Sequence, residues 1–210
     1  MDIDSFFNLA EKALDGDASS QCELGNCFYY GKVVNKNYEQ AVQWYSKAAE
    51  QGVAYAQCIL GSCYHESKGI EQNLEKAIYW WTKAAEQDYA SAQYFLGCCY
   101  SIGDGVIQDD EKVVYWWTKA ASNGNVYAQH NLGYRYENGE GIAKDYEQAV
   151  FWYSQSAKQN YAKSQNNLGL RYYLGEGVEQ DYEKAYFWFT KAALLGNADA
   201  KDNLSILKSK

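Results

Sequence analysis

Apolar positions along the chain return on a fixed period. Leu-Gly stands at Leu24-Gly25, Leu60-Gly61, Leu96-Gly97, Leu132-Gly133 and Leu168-Gly169, a step of 36 residues each time. Trp44, Trp80, Trp116, Trp152 and Trp188 keep the same step, as do Ala49, Ala85, Ala121, Ala157 and Ala193. Three independent positions held in one register five times constitute an internal repeat, and self-similarity on this scale marks an array of supersecondary units.

The spacing within a unit predicts two helices. Ala56, Leu60 and Tyr64 lie at i, i+4 and i+8, one face of a first helix. A turn follows around Ser67-Lys68-Gly69. The matching turns carry paired glycines, Gly103 and Gly105, Gly139 and Gly141, Gly175 and Gly177, which reach positive φ at little steric cost. Asn37, Asn73, Asp109, Asp145 and Asp181 then stand where an N-cap is expected. Two residues on is always Glu (Glu39, Glu75, Glu111, Glu147, Glu183), favoured by the dipole of a first helical turn. The column reads as first-turn helix charges facing water, not as a carboxylate ladder for metal. The second helix runs through Ala77, Trp80-Trp81 and Ala84-Ala85. Its equivalents end at Gly52, Asp88, Gly124, Asn160 and Gly196, residues that tolerate the left-handed cap. The recurring Trp and the aromatic after it (Tyr45, Trp81, Trp117, Tyr153, Phe189) read as packing between helices.

The stretch from Ala128-Gln129 through Leu132-Gly133, Tyr136, Gly139, Gly141-Ile142, Asp145 and Ala149 to Trp152 resembles the Sel-one-like repeat family, a relative of the tetratricopeptide repeats. The resemblance covers nearly the whole chain. It implies an all-α fold, a right-handed superhelix of antiparallel helix pairs, and a scaffold or adaptor role in protein–protein contacts. It is specific for fold and not for partner. Five repeats are expected at 17–52, 53–88, 89–124, 125–160 and 161–196, as one continuous domain. Residues 1–16 match a second helix without its partner, and 197–210 match a first helix, so both ends read as caps that cover the last repeat.

Self-comparison also separates constant positions from free ones. On the first helix the side opposite Ala56 and Leu60 changes from repeat to repeat. By analogy with tetratricopeptide solenoids that side lines the concave surface. Its middle is aromatic and apolar, with Tyr55, Ile59, Tyr94, Phe95, Ile102, Tyr127 and Tyr134. Its C-terminal part adds His130 and the amides Asn131, Asn138, Asn166 and Asn167. Tyrosine suits binding hot spots, and amides both donate to and accept from a peptide backbone. Two readings stand: a groove for a segment of a partner protein, or side chains that pack on one another in a tightly curved superhelix.

Composition then narrows the partners. The formal charge is −8, which argues against a nucleic-acid binder and against docking on an anionic membrane, and favours a partner with a basic patch. No stretch reaches the length of a membrane span, and the acidic start Met1-Asp2-Ile3-Asp4 shows no secretory signal. A cytoplasmic setting, or delivery into a host cell, is expected. No cofactor, metal site or catalytic residue is expected either. His65 and His130 fall in different repeats, without zinc-type spacing. Ser205-x-x-Lys208 fits an acylation motif but lies at the extreme end with none of its companion motifs.

The six cysteines bear on a second function. Some secreted members of the resembled family staple each helix pair with a disulfide, and penicillin-type hydrolase activity has been proposed for them. That needs one Cys on each helix of a pair. Cys22, Cys27, Cys58, Cys63, Cys98 and Cys99 all fall on first helices, so free thiols are expected. The hydrolase reading remains the alternative to an interaction module. Within the latter, a signalling scaffold, a bacterial effector and a toxin-immunity protein all remain open.

Overall fold

The computed structural model describes residues 2–208, and the side chain of Lys208 lies outside that description. Among the described residues there are twelve helices and no strand. They run α1 Ile3–Leu14, α2 Ala18–Tyr30, α3 Tyr38–Glu50, α4 Ala54–Glu66, α5 Leu74–Ala85, α6 Ala90–Ile102, α7 Asp110–Ser122, α8 Val126–Asn138, α9 Tyr146–Lys158, α10 Ala162–Leu174, α11 Tyr182–Leu194 and α12 Ala198–Lys208. Within each of two compact units consecutive helices pack on one another as pairs, and the whole is an all-α solenoid. The chain groups into two compact units, 2–108 and 109–208, divided in the turn between α6 and α7.

The expected caps are in place. Asn37, Asn73, Asp109, Asp145 and Asp181 each accept the backbone N–H three residues on, at 2.8 to 3.0 Å. Each bond satisfies one donor that a helix start leaves orphaned. Gly52, Asp88, Gly124, Asn160 and Gly196 all adopt positive φ after the second helices. The half-repeats α1 and α12 occupy the two ends, and residues 209 and 210 of the expected C-terminal cap lie outside the described residues.

The recurring Leu-Gly has a packing cause. Leu24, Leu60, Leu96, Leu132 and Leu168 are fully buried. A Cβ added at Gly25, Gly61, Gly133 or Gly169 would lie 2.6 to 2.8 Å from the ring of Tyr45, Trp81, Tyr153 or Phe189. The glycine is thus the seat of the second helix's aromatic. It is the variable aromatic that is buried there, while the invariant Trp44, Trp80, Trp116, Trp152 and Trp188 stay half-buried at the edge of the core.

A buried amide ties each first helix to the second helix before it. The Nε2 of Gln21, Gln57, Gln93, Gln129 and Gln165 donates to the carbonyl of Ala13, Ala49, Ala85, Ala121 and Ala157, at 3.0 to 3.1 Å. The buried side of the first helix accepts this polar group because the bond gives its amide a partner, a carbonyl at the end of the neighbouring helix.

Candidate partner-binding face

On α4, burial takes Ala56, Gln57, Cys58, Leu60, Gly61 and Cys63, well over half the circumference at 100° per residue. What remains is a narrow arc through Tyr55, Ile59, Ser62 and Glu66. The equivalent arc stays accessible in every repeat: Phe95, Cys98 and Ile102 on α6, Tyr127, Asn131, Tyr134 and Asn138 on α8, Asn167, Leu170 and Leu174 on α10.

One register of the expected face belongs elsewhere. Cys58 sits at the edge of the arc and is buried, and so is its equivalent Asn166, whose Oδ1 accepts from Asn203 Nδ2 at 2.9 Å. His130 and Tyr94 share this register and are half-buried. The His130 ring lies 5.7 Å from the Tyr153 ring and 5.1 Å from the Tyr161 ring, and its Nδ1 is 2.9 Å from Ser164 Oγ. Burial, assisted by the Lys163 charge, lowers its pKa to about 4. The reason is that a first helix is covered on three sides, so two-residue offsets from Ala56 turn into the neighbouring repeat.

The amides are also more committed than their spacing suggests. Asn138 Nδ2 donates to Tyr134 O of its own helix at 2.9 Å. Asn167 hydrogen-bonds the hydroxyl of Tyr153. Asn131 is half-buried on the arc.

Unit 2–108 contains two clefts on this face. A cleft of about 200 Å³ is lined by Ser62, His65, Trp81, Phe95, Ile102 and Asp104. His65 Nε2 is 2.7 Å from Asp104 Oδ2, and the His65 ring lies 5.3 Å from the Trp81 ring. Trp81 is held in turn by its Nε1, which donates to Cys58 O at 3.1 Å, and by the Phe95 ring at 5.2 Å. The result is an apolar floor with the hydrogen-bonded His65–Asp104 pair at its mouth. The second cleft, about 490 Å³, is lined by Glu23, Asn26, Tyr30, Lys32, Val33 and Tyr55. There the hydroxyls of Tyr45 and Tyr55 both donate to Asn26 Oδ1, at 2.8 and 2.9 Å. Val33 adopts φ +70°, rare for a β-branched residue, where later repeats have glycine. Neither the His65–Asp104 pair nor the strained Val33 was legible in the sequence, since both depend on contacts or backbone outside the repeat pattern.

Among the described residues no group of three or more His, Cys, Asp or Glu is placed to hold a metal ion, and no helix is long and apolar enough to cross a membrane. No disulfide links the cysteines. Burial pushes the Cys58, Cys63 and Cys99 thiols up to about 12.

No curated protein sequence matches the chain. Solved structures do. A protective antigen of uropathogenic Escherichia coli with an SLR fold is 35% identical, TM-score 0.90, over 96% of this chain and 43% of that one. A Sel1 repeat protein from Oxalobacter formigenes is 34% identical, TM-score 0.92, over 98% of this chain and 60% of that one. The chain therefore spans roughly half the length of these two relatives. An immunity protein of Pseudomonas aeruginosa is 26% identical, TM-score 0.55, over 87% of this chain and 67% of that one. The Sel1 repeat profile matches residues 18–53, 54–89, 90–125, 126–161 and 162–197, the expected register displaced by one residue. With five matched repeats covering most of its length, the chain belongs to the Sel1 repeat family.

Proposed function

We propose that the protein is a non-enzymatic interaction module that binds a partner protein or peptide on the accessible arc of its first helices, the concave side of the implied superhelix. The Trp81, Phe95 and Ile102 cleft supports this most strongly: it offers an apolar seat, with His65 and Asp104 beside it to orient the segment that enters. The charge of −8 favours a partner with a basic patch, recruited faster at low salt. Nucleic acid and membrane are not among the partners of this reading. An immunity role, inside the cell that makes the protein, is the specific role that a structural neighbour's description favours.

The test is affinity capture from the source cell with mass spectrometry, comparing the wild type with Phe95→Ala and Ile102→Ser. Loss of one captured protein, with melting unchanged, supports the reading. Identical capture by all three sinks it. Turnover of a chromogenic β-lactam by pure protein, abolished by removing one side chain, would favour the hydrolase alternative instead.

A further inference from the structure

The solvent-facing side of the second helices holds a second periodic pattern. In unit 109–208 the residue before each invariant Trp is an exposed aromatic: Tyr115, Phe151 and Phe187, at 51%, 48% and 49% exposure. Each stands edge-on to its Trp, with ring centroids 4.8 to 5.1 Å apart. Four residues before each aromatic is an exposed glutamate (Glu111, Glu147, Glu183), and four after is Lys119, Gln155 or Lys191. Positions i, i+4 and i+8 share a helix face, so α7 and α11 each present acid, ring and base in that order, and α9 presents acid, ring and neutral amide. Lys119 lies 5.4 Å from the Tyr115 ring and Lys191 4.9 Å from the Phe187 ring. Lys112 and Lys184, beside the glutamates, are drawn to the N-cap carboxylates of Asp109 and Asp181 at 3.5 and 3.0 Å, which leaves the acidic row its sign.

Three rows thus cross the face: negative, aromatic, positive. A two-fold axis along the aromatic row lays such a surface on a copy of itself with every row matched. Glu111 then meets Lys119 of the second copy, Glu183 meets Lys191, Glu147 meets Gln155, and Phe151 lies on its own equivalent at the centre. Isologous contacts require this kind of self-complementarity. Three helices about 20 Å long, each about 10 Å across with its side chains, offer roughly 600 Å² of footprint, at the lower end of what a specific pair buries on each side. We propose that this face is the contact surface for a second copy of the chain, giving a two-fold dimer. The proposal is independent of the partner-binding face, which lies on the first helices.

The test is sedimentation velocity of the full chain from micromolar to millimolar concentration, at low and high salt. A concentration-dependent dimer, weakened by salt, is expected. Phe151→Ser and the charge reversal Glu111→Lys with Glu183→Lys should each weaken it at least tenfold. The opposite reversal, Lys119→Glu with Lys191→Glu, should do the same. Mixing the two reversed variants should restore a dimer made of one of each. A wild type that stays monomeric throughout overturns the proposal, as does a dimer that these surface substitutions leave unchanged.

Discussion

Replacing Leu195 by Gln should stabilise the protein. In repeats one, two and four a glutamine just after the second helix answers the buried amide ladder. The Nε2 of Gln51, Gln87 and Gln159 donates to the Oε1 of Gln21, Gln57 and Gln129 at 2.8 to 2.9 Å. Gln51 and Gln159 donate their second hydrogen to the carbonyls of Gly16 and Gly124, both at 3.0 Å. Repeat five has Leu195 at this register, and there the buried Oε1 of Gln165 accepts no hydrogen bond. An unanswered buried acceptor costs about 1 to 3 kcal/mol, and the second bond adds about 1 kcal/mol. Against this, Leu195 is half-exposed, so losing its partial burial costs about 1 kcal/mol. Ordering a glutamine side chain costs about 1 kcal/mol more. The balance is a gain of about 1 kcal/mol, or about 2 to 4 °C in melting temperature for a chain of this size. Urea unfolding followed by far-ultraviolet dichroism measures it directly. Gln51→Leu is the mirror experiment, leaving Gln21 Oε1 unanswered, and should destabilise by about 1 to 3 kcal/mol. A Leu195→Gln protein less stable than wild type, together with a neutral Gln51→Leu, would refute the accounting.

Four further outcomes follow from single side chains and their surroundings. His130 is held neutral, with its pKa lowered from 6.5 to about 4, so the unfolded chain binds more protons in that window and stability falls as pH drops through it. Between about pH 7 and about pH 4.5 the wild type should lose about 2 kcal/mol more than His130→Asn, read from urea midpoints. Gly177 and Gly124 both have positive φ, but a Cβ on Gly177 would sit 2.2 Å from Tyr146 O, while Gly124 faces open space. Gly177→Ala should therefore cost at least about 2 kcal/mol and Gly124→Ala about 1 kcal/mol by thermal melting. Cys98 is the one cysteine that is not buried, so maleimide labelling of native protein followed by peptide mapping should find it first. Arg171→Cys should cost about 2 to 4 kcal/mol, and adding Glu137→Gln and Glu176→Gln should recover part of that loss in a mutant cycle.

That last substitution shows where the sequence is legible and where it stops. Helices and caps were readable because each follows from a local rule applied five times, and the paired turn glycines because they recur in three turns. On the first helices the expected positions are accessible except at one register, where neighbours intervene: Asn166 and His130 lie at the right angle for a groove but under the next repeat. The register of Cys27, Cys63 and Cys99 shows the same limit more sharply. In repeats four and five it holds Arg135 and Arg171, both almost fully buried. As isolated letters, thiol and guanidinium have nothing in common. The structure reconciles them through partners that lie at other registers. Arg171 reaches Glu137 at 3.1 Å and Glu176 at 2.5 Å, and Arg135 reaches Asp110 at 2.9 Å with the Trp117 ring beneath it at 5.3 Å. Burying a guanidinium is tolerable only when carboxylates accompany it, so Arg and acid must change together while a thiol can change alone. A repeat compared with its own copies reveals which positions are free to vary. Which of them vary as a set is decided by contact between repeats, and it is those sets, not the shared scaffold, that make one repeat's surface differ from the next.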